Sequence, residues 1–514
     1  MAIKIYSAAY TGIKGFLVDV EVDISYGLPT FNIVGLGDTA IKESKDRVRT
    51  SIINSGFDFP VGRITVNLAP ASIKKEGAVF DLSIALGILL ASSQITYASI
   101  EEFVFMGELS LNGELRPVKG ILPIILEAMN NGIKDFVVPY ENINECTVSK
   151  DIKAFPFKNL KEVIHFLTYK DMLPYKNFSN EKDENNIKSL EYDFDDVVGQ
   201  ESVKRALEVA AAGFHNLILY GPPGSGKTML AKRMSCILPG LTYEESVEVT
   251  KIYSVSGNLN KQQGFIKSRP FRNPHHSITK TALIGGGRDL KVGEITLAHN
   301  GVLFLDEILE FNRSTLELLR QPLEDGNVTI TRLTGSIDYP SKFIFIGSLN
   351  PCPCGFYLSH SEIKQCTCSE AERKRYLQKL SGPLLDRIDL FSFVPSLKYE
   401  DINKDNKSKT SKKSKEIKDR VSKAREIQAQ RFKNEDVKYN SEMNKEYIKE
   451  YCKLDKDTSE ILKTVYEKYG LSTRGYYKIL KISRTIADLN GNKDITKNDI
   501  IESIQYRRFL KDII

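Results

Sequence analysis

Apolar positions in this chain come in short runs of two kinds, and the kinds sort by region. Over residues 1–168, the stretches 64–68, 103–106 and 136–139 are brief and rich in β-branched and aromatic side chains, and they read as strands. Residues 81–91 and 121–130 are apolar at helical length. Short strands mixed with two helices predict a compact α+β domain over this span.

The pattern then changes. Residues 177–186 are polar but for Phe178, so 169–192 read as a solvated linker. From 193 to 395 strand and helix signals alternate, which predicts a parallel sheet flanked by helices. Lysine and serine dominate 404–418, and 396–415 read as a basic linker. It serves either as a flexible connection or as a contact to a phosphate backbone. Residues 417–432, 457–468, 473–490 and 497–506 carry helical periodicity, so 416–514 form a helical C-terminal domain. The fold class is multidomain α/β, with no internal repeat.

Composition narrows this little. A chain of 514 residues is too long for one core. Hydrophobic content of 41% and charged content of 27% suit a soluble globular protein. A net charge of +6 permits nucleic-acid binding without requiring it. The first residues lack the apolar core of a signal peptide, and the longest mainly apolar stretch, 82–91, is too short to span a bilayer and contains Ser83 and Gly87. A cytoplasmic protein with no membrane partner is the expectation.

Cysteine usage adds candidate chemistry. Four of the seven cysteines form two Cys-x-Cys pairs, Cys352/Cys354 and Cys366/Cys368, around an eleven-residue loop. Thiolates in this arrangement suit tetrahedral Zn²⁺, with His360 able to replace one ligand. The alternative is four unpaired thiols in a reducing compartment. A structural Zn²⁺ is the expectation. Cys146, Cys236 and Cys452 are scattered and read as packing residues.

The strongest chemistry is in Gly221-Pro222-Pro223-Gly224-Ser225-Gly226-Lys227-Thr228. It matches G-x-x-x-x-G-K-[ST], with an apolar run before it and a helical pattern after it. Glycines let the backbone N–H groups turn toward phosphate oxygens, and a helix N-terminus adds partial positive charge. Lys227 would reach the β- and γ-phosphates of ATP, and the Thr228 hydroxyl would ligate Mg²⁺. Further on, Gly301-Val302-Leu303-Phe304-Leu305-Asp306-Glu307 reads as a buried strand ending in two carboxylates. Asp306 would hold Mg²⁺, and Glu307 would polarise the attacking water.

Asp195-Asp196-Val197-Val198-Gly199-Gln200 before a helix resembles the entry segment of AAA+ ATPases. The resemblance places sensor 1 at Asn350, after the apolar run 343–349, where it would orient the water. It places an arginine finger at Arg387, within Leu384-Leu385-Asp386-Arg387-Ile388-Asp389, acting on a neighbouring subunit's nucleotide, and sensor 2 at Arg474. Pro274-His275-His276-Ser277, Ile284-Gly285-Gly286-Gly287 and the segment 293–301 are similar to magnesium-chelatase-type AAA+ proteins. The N-terminal domain and the four-cysteine insert point to the YifB/ComM branch of that family, over nearly the whole chain. The resemblance implies a ring-forming, hexameric ATPase. The ComM members are associated with natural transformation, as helicases that drive branch migration on DNA. Residues 324–332 read as a hairpin that in related motors faces the pore, with Arg332 either a DNA contact or a solvated charge. His275 and His276, beside Arg272, fit a nucleotide or pore contact and a structural role equally.

The N-terminal domain resembles the Lon protease fold, of the ribosomal S5 domain 2-like type. In that alignment the nucleophile's position is Val79 and the lysine base's position is Leu122, so no peptidase dyad stands there. Ser83 and Lys119 lie nearby but off the aligned positions. The domain is therefore expected to bind a protein partner, nucleic acid or its own ring. Four functions remain in view, one of them a magnesium chelatase motor subunit, which the motifs allow but from whose arrangement, with separate large subunits, the fused N-terminal domain departs. A DNA motor leads, and a chelatase-like chaperone ATPase that remodels a protein partner is the alternative. An ATP-dependent protease is disfavoured by Val79 and Leu122.

Overall fold

Strands Ile3–Thr11 and Lys14–Ser25 fold back on each other as an antiparallel hairpin, in register from Ile3↔Val22 to Thr11↔Lys14. The computed structural model describes residues 2–35, 37–73, 75, 77–97, 100–175, 193–259, 264–287, 291–332, 335–358, 365–396 and 413–507. The side chain of Arg332, His360 and most of the lysine-rich stretch at 404–418 lie outside the described residues.

The described chain gathers into two units. In the first, the hairpin sits within a seven-stranded mixed sheet. Its order is Thr30–Val34, Arg63–Ala69, Lys14–Ser25, Ile3–Thr11, Phe103–Phe105, Asp135–Pro139 and Lys153–Phe157. Helix Asp81–Ala91 packs on the hairpin strands with residues 81–89 all buried, which explains why its sequence is apolar on every side. Helix Thr39–Asn54 is an element that the apolar pattern missed. Its buried face carries Ser44 and Ser51 beside Ile41, Val48 and Ile52, so serines dilute the hydrophobic signal. Its start is fixed by Asp38, whose carboxylate accepts from the Ile41 N–H at 3.0 Å. Helix Leu160–Tyr169, also unforeseen, carries the aromatic cluster of Phe166 with Phe155 and Phe157.

Two later segments, Thr242–Lys267 and Thr331–Tyr339, belong to this first unit. Alternation along the sequence had grouped both with 193–395. Helix Tyr243–Ser256 opens with a Thr242–Glu245 capping box and ends at Gly257. It packs against helix Ile121–Asn130: the Ser254 carbonyl accepts from Gly120 N–H at 3.2 Å, and the Ser254 hydroxyl donates to the buried Glu145.

The second unit is built on a five-stranded parallel sheet, ordered Phe271–Arg272, Val302–Leu305, Ile344–Leu349, Leu217–Tyr220, Leu390–Phe393. Leu217–Tyr220 comes first in the chain yet lies between two later strands. Successive connections therefore leave it on opposite sides, and a crevice opens at its carboxyl end. The helices Lys413–Arg431, Lys445–Tyr451, Lys456–Tyr469, Thr473–Leu489 and Lys497–Gln505 complete the unit, and Thr473–Leu489 packs on Glu201–Gly213. Helix Lys413–Arg431 begins inside the span read as basic linker, because the buried Ser414 accepts from Phe194 N–H at 2.8 Å and bonds Asp193. Glu324 and Asp325, read as part of a hairpin, end the helix Arg320–Asp325 instead, and the strand starts at Asn327. Among the described residues, no helix is long and apolar enough to cross a membrane.

Candidate active site

The central strand Leu217–Tyr220 delivers Gly221–Thr228 to the sheet's carboxyl edge. Gly226 has φ +90°, a left-handed conformation that a side chain would resist, and it starts helix Lys227–Lys232. Lys227 is buried and points its ammonium back into the loop. It donates to the carbonyls of Gly221 and Pro222, both at 2.8 Å, and to Asn350 Oδ1 at 3.1 Å. Burial pulls this ammonium down to about 8, against the opposing pull of Asp306 and Glu307. Phosphate oxygens would raise it again by favouring the charged form.

Strand Val302–Leu305, beside Ile344–Leu349, ends at the acidic pair. The Thr228 hydroxyl donates to Asp306 Oδ2 at 2.7 Å. Adjacent ligands of an octahedral Mg²⁺ stand about 2.9 Å apart, so this hydroxyl and carboxylate have the chemistry and spacing to share one. Glu307 is exposed with φ +49°, a strained state for a residue with a side chain, costing about 1–3 kcal/mol. Its N–H donates to Ser348 Oγ at 2.9 Å and to Asp306 Oδ1 at 3.1 Å, and Ser348 in turn donates to Asp306. Ser348 thus fixes both acids. Sequence pattern gives no sign of this role, because Ser348 is a lone serine inside the run 343–349.

Lys227, Thr228, Asp306, Glu307 and Asn350 converge; Arg387 and Arg474 do not join them. These two arginines border a cavity of about 550 Å³ together with Glu324, Asp386, Lys342 and Lys478, and no phosphate-loop residue lines it. Arg387 donates to the Pro383 carbonyl at 2.7 Å and pairs with Glu324. Burial, then the nearby Arg320 and Arg474, pull its guanidinium below the usual range. Arg474 is exposed, 3.9 Å from Asp386.

Behind them lies a buried ion pair. Lys478, one helical turn after Arg474, meets Asp389 at 2.8 Å and donates to the Ile388 carbonyl at 2.9 Å. Burial works against the Asp389 charge, yet Lys478 and His215 hold its carboxyl well below the usual range. Burial also pulls Lys478 down to about 8. The pair ties helix Thr473–Leu489 to the segment that carries Arg387. Pattern reading missed it, because partners so far apart in sequence share no local signal.

The four thiols of Cys352, Cys354, Cys366 and Cys368 lie within 4.8 Å of one another. His275 is exposed and bonds Ser277 Oγ at 2.9 Å, with its ring against His276 at 4.0 Å. Arg272, beside them in sequence, forms a bidentate pair with Glu294 at 2.6 and 2.7 Å. Cys146 and Cys452 are buried, while Cys236 is partly buried. In the first unit Val79 and Leu122 are core residues. Ser83 is buried and donates to the Phe105 carbonyl at 2.9 Å, whereas Lys119 is exposed and lies over Gly257. No dyad forms between them.

Three family models match the chain: "Subunit ChlI of Mg-chelatase" at 20–142, "Magnesium chelatase, subunit ChlI" at 193–402, and "Magnesium chelatase, subunit ChlI C-terminal" at 411–507. The chain is 41% identical to the competence protein ComM of Haemophilus influenzae, over 99% of this chain and 97% of that protein. It is 40% identical to the uncharacterized protein YifB of Escherichia coli, over 98% and 96% respectively. A Lon protease of Methanosphaera stadtmanae matches at 29% identity, over 30% of this chain and 20% of that protease. With a parallel-sheet core presenting a phosphate loop beside paired acids, and similarity that runs from end to end, the chain belongs to the magnesium-chelatase-like AAA+ ATPases, in the branch that holds ComM and YifB.

Proposed function

We propose that this protein is a Mg²⁺-dependent ATP hydrolase that closes into a homo-oligomeric ring, a hexamer, and moves on DNA. The reaction would be strand separation or branch migration in recombination or natural transformation. The placement of the arginines carries the ring: the phosphate loop and acids gather without Arg387 or Arg474, which border a separate cavity. Beyond Lys227, each site then lacks an arginine for the transferred phosphoryl group until an adjoining subunit supplies it. The DNA substrate is supported by full-length similarity to a protein named for competence.

In this reading Lys227 releases the Gly221 and Pro222 carbonyls and holds the β- and γ-phosphates of ATP. Thr228 and Asp306 hold Mg²⁺, which neutralises phosphate charge when bound. Glu307 takes the proton of the attacking water, Ser348 keeps its backbone in place, and Asn350 orients that water. Arg387 leaves Glu324 and stabilises transition-state charge across the interface, with Arg474 beside it. Cys352, Cys354, Cys366 and Cys368 hold Zn²⁺. The first unit supplies a docking face for nucleic acid, a protein partner or its own ring.

The test is steady-state ATP turnover with no polymer, single-stranded DNA, forked DNA and a four-way junction, repeated with Glu307→Gln. Stimulation by DNA that the variant loses is expected. Turnover indifferent to every DNA would replace this reading with ATP-driven remodelling of a protein partner.

A further inference from the structure

The cysteine cluster touches the nucleotide site at three points. Cys352 follows Asn350 and Pro351 directly, at the end of strand Ile344–Leu349, and Asn350 Oδ1 accepts from Lys227. Gly355, one residue beyond Cys354, lies against the phosphate loop so closely that a Cβ there would fall 2.6 Å from Pro223 Cδ. From the second cysteine pair the chain enters helix Glu370–Leu377, capped by Ser369 and Glu372. That helix reaches back to the turn that follows Glu307. Tyr376 donates to Glu310 at 3.4 Å, and Lys379, just past the helix end, donates to the Leu309 carbonyl at 2.8 Å.

The first pair is therefore anchored to the phosphate loop and Asn350, and the second to the turn behind the catalytic acids. Among the described residues, the two arms meet at their sulfurs and through Arg373. The Tyr357 N–H donates to Cys352 Sγ at 3.3 Å, while Arg373 donates to the Cys368 carbonyl at 2.9 Å and stacks over Tyr357 at 4.1 Å. The sulfurs themselves stand 3.3 Å (352–354), 3.7 Å (352–366) and 3.6 Å (354–366) apart. A tetrahedron of Zn–S bonds of about 2.3 Å has edges of about 3.8 Å, so the cage matches a tetrathiolate ion.

We propose that a tetrathiolate-bound Zn²⁺ at these cysteines is a brace of the nucleotide site, which locks Pro223, Asn350 and the turn after Glu307 together so that metal occupancy sets nucleotide affinity and turnover. This rests on the ATPase reading above. Four ion–sulfur bonds would tie both arms to one centre and hold them in one arrangement. Tyr376 and Lys379 act as positioning residues, carrying the brace to the acids.

The experiment uses the full chain. Elemental analysis of freshly purified, reduced protein should find about one zinc per chain, the stoichiometry of a single tetrathiolate site. Fluorescent ADP is then titrated before and after the metal is released by a mercurial and chelator, and again after thiol recovery and Zn²⁺ return. Release should weaken ADP binding about tenfold or more, and Zn²⁺ should restore it. Lys379→Met keeps all four cysteines; it should retain zinc and ADP affinity while turnover falls. Protein without metal as purified, unchanged ADP binding after release, or full turnover in Lys379→Met would each overturn the brace. Zinc-loaded protein that neither binds ADP nor hydrolyses ATP would instead overturn the ATPase reading.

Discussion

Each unit buries a charged side chain in the first turn of a helix, and the two are satisfied in opposite ways. In the first, Asp81 opens helix Asp81–Ala91, where a negative charge suits the helix dipole. Burial pushes its carboxyl up, but Arg47 at 2.8 Å, Ser44 and the Leu109 N–H pull it back. Every partner is part of a fixed core. In the second, Lys227 opens helix Lys227–Lys232, where a positive charge is disfavoured. Its partners are carbonyls of its own loop and Asn350, all of which a phosphate can displace. A buried charge with permanent partners is architecture, whereas one with exchangeable partners is a binding site. In the first unit Val79 and Leu122 are likewise core residues.

The contrast can be broken at its functional end first. Arg387→Ala should cut kcat by about 10³–10⁵-fold. Mixing it with subunits that carry Lys227→Ala and an intact Arg387 should recover part of the turnover, and absence of recovery would place the arginine's action within its own subunit. Glu307→Gln should lower kcat by about 10²–10⁴-fold while leaving ADP affinity intact; equal loss of both would mean that the residue binds rather than reacts. Asp81→Ala, which strands the Arg47 guanidinium, should cost about 3–5 kcal/mol of stability in denaturant melts and leave kcat per folded chain unchanged.

A finer test uses pH. Lys227 sits at about 8 with exchangeable partners, and anionic phosphates favour its charged form. ATP binding should therefore take up protons near pH 8.5, read by calorimetry in buffers of different ionisation enthalpy. Affinity should fall as pH rises past 8, by at most about tenfold per unit. Proton release on binding would have the wrong sign. The smallest effect is expected from Ser83→Ala, a loss of about 1 kcal/mol for one buried hydrogen bond with no change in turnover.

What could be read from sequence follows from distance along the chain. The phosphate loop, the acid pair and Asn350 each sit at the end of an apolar run, so a local window reveals both the strand and the residue it presents. Ser348 was overlooked because its value lies in what its hydroxyl touches, two strands' worth of chain away. Asp389 and Lys478 escaped for the same reason, and Lys478 reads as an ordinary helical lysine until it is seen buried. In the first unit, the helix over Thr39–Asn54 was hidden by serines on its inner face.

Helix Tyr243–Ser256 has a consequence for how such a protein can change over generations. Residues 1–175 look like an exchangeable module, yet Gly120, Glu145 and the Val148 carbonyl all find partners on that later helix. An exchange confined to the N-terminal stretch would separate the buried Glu145 carboxylate from Ser254 and leave a helix without its groove. The two stretches are therefore inherited well only as a pair, and recombination within the gene is tolerated chiefly where both ends of that contact travel together.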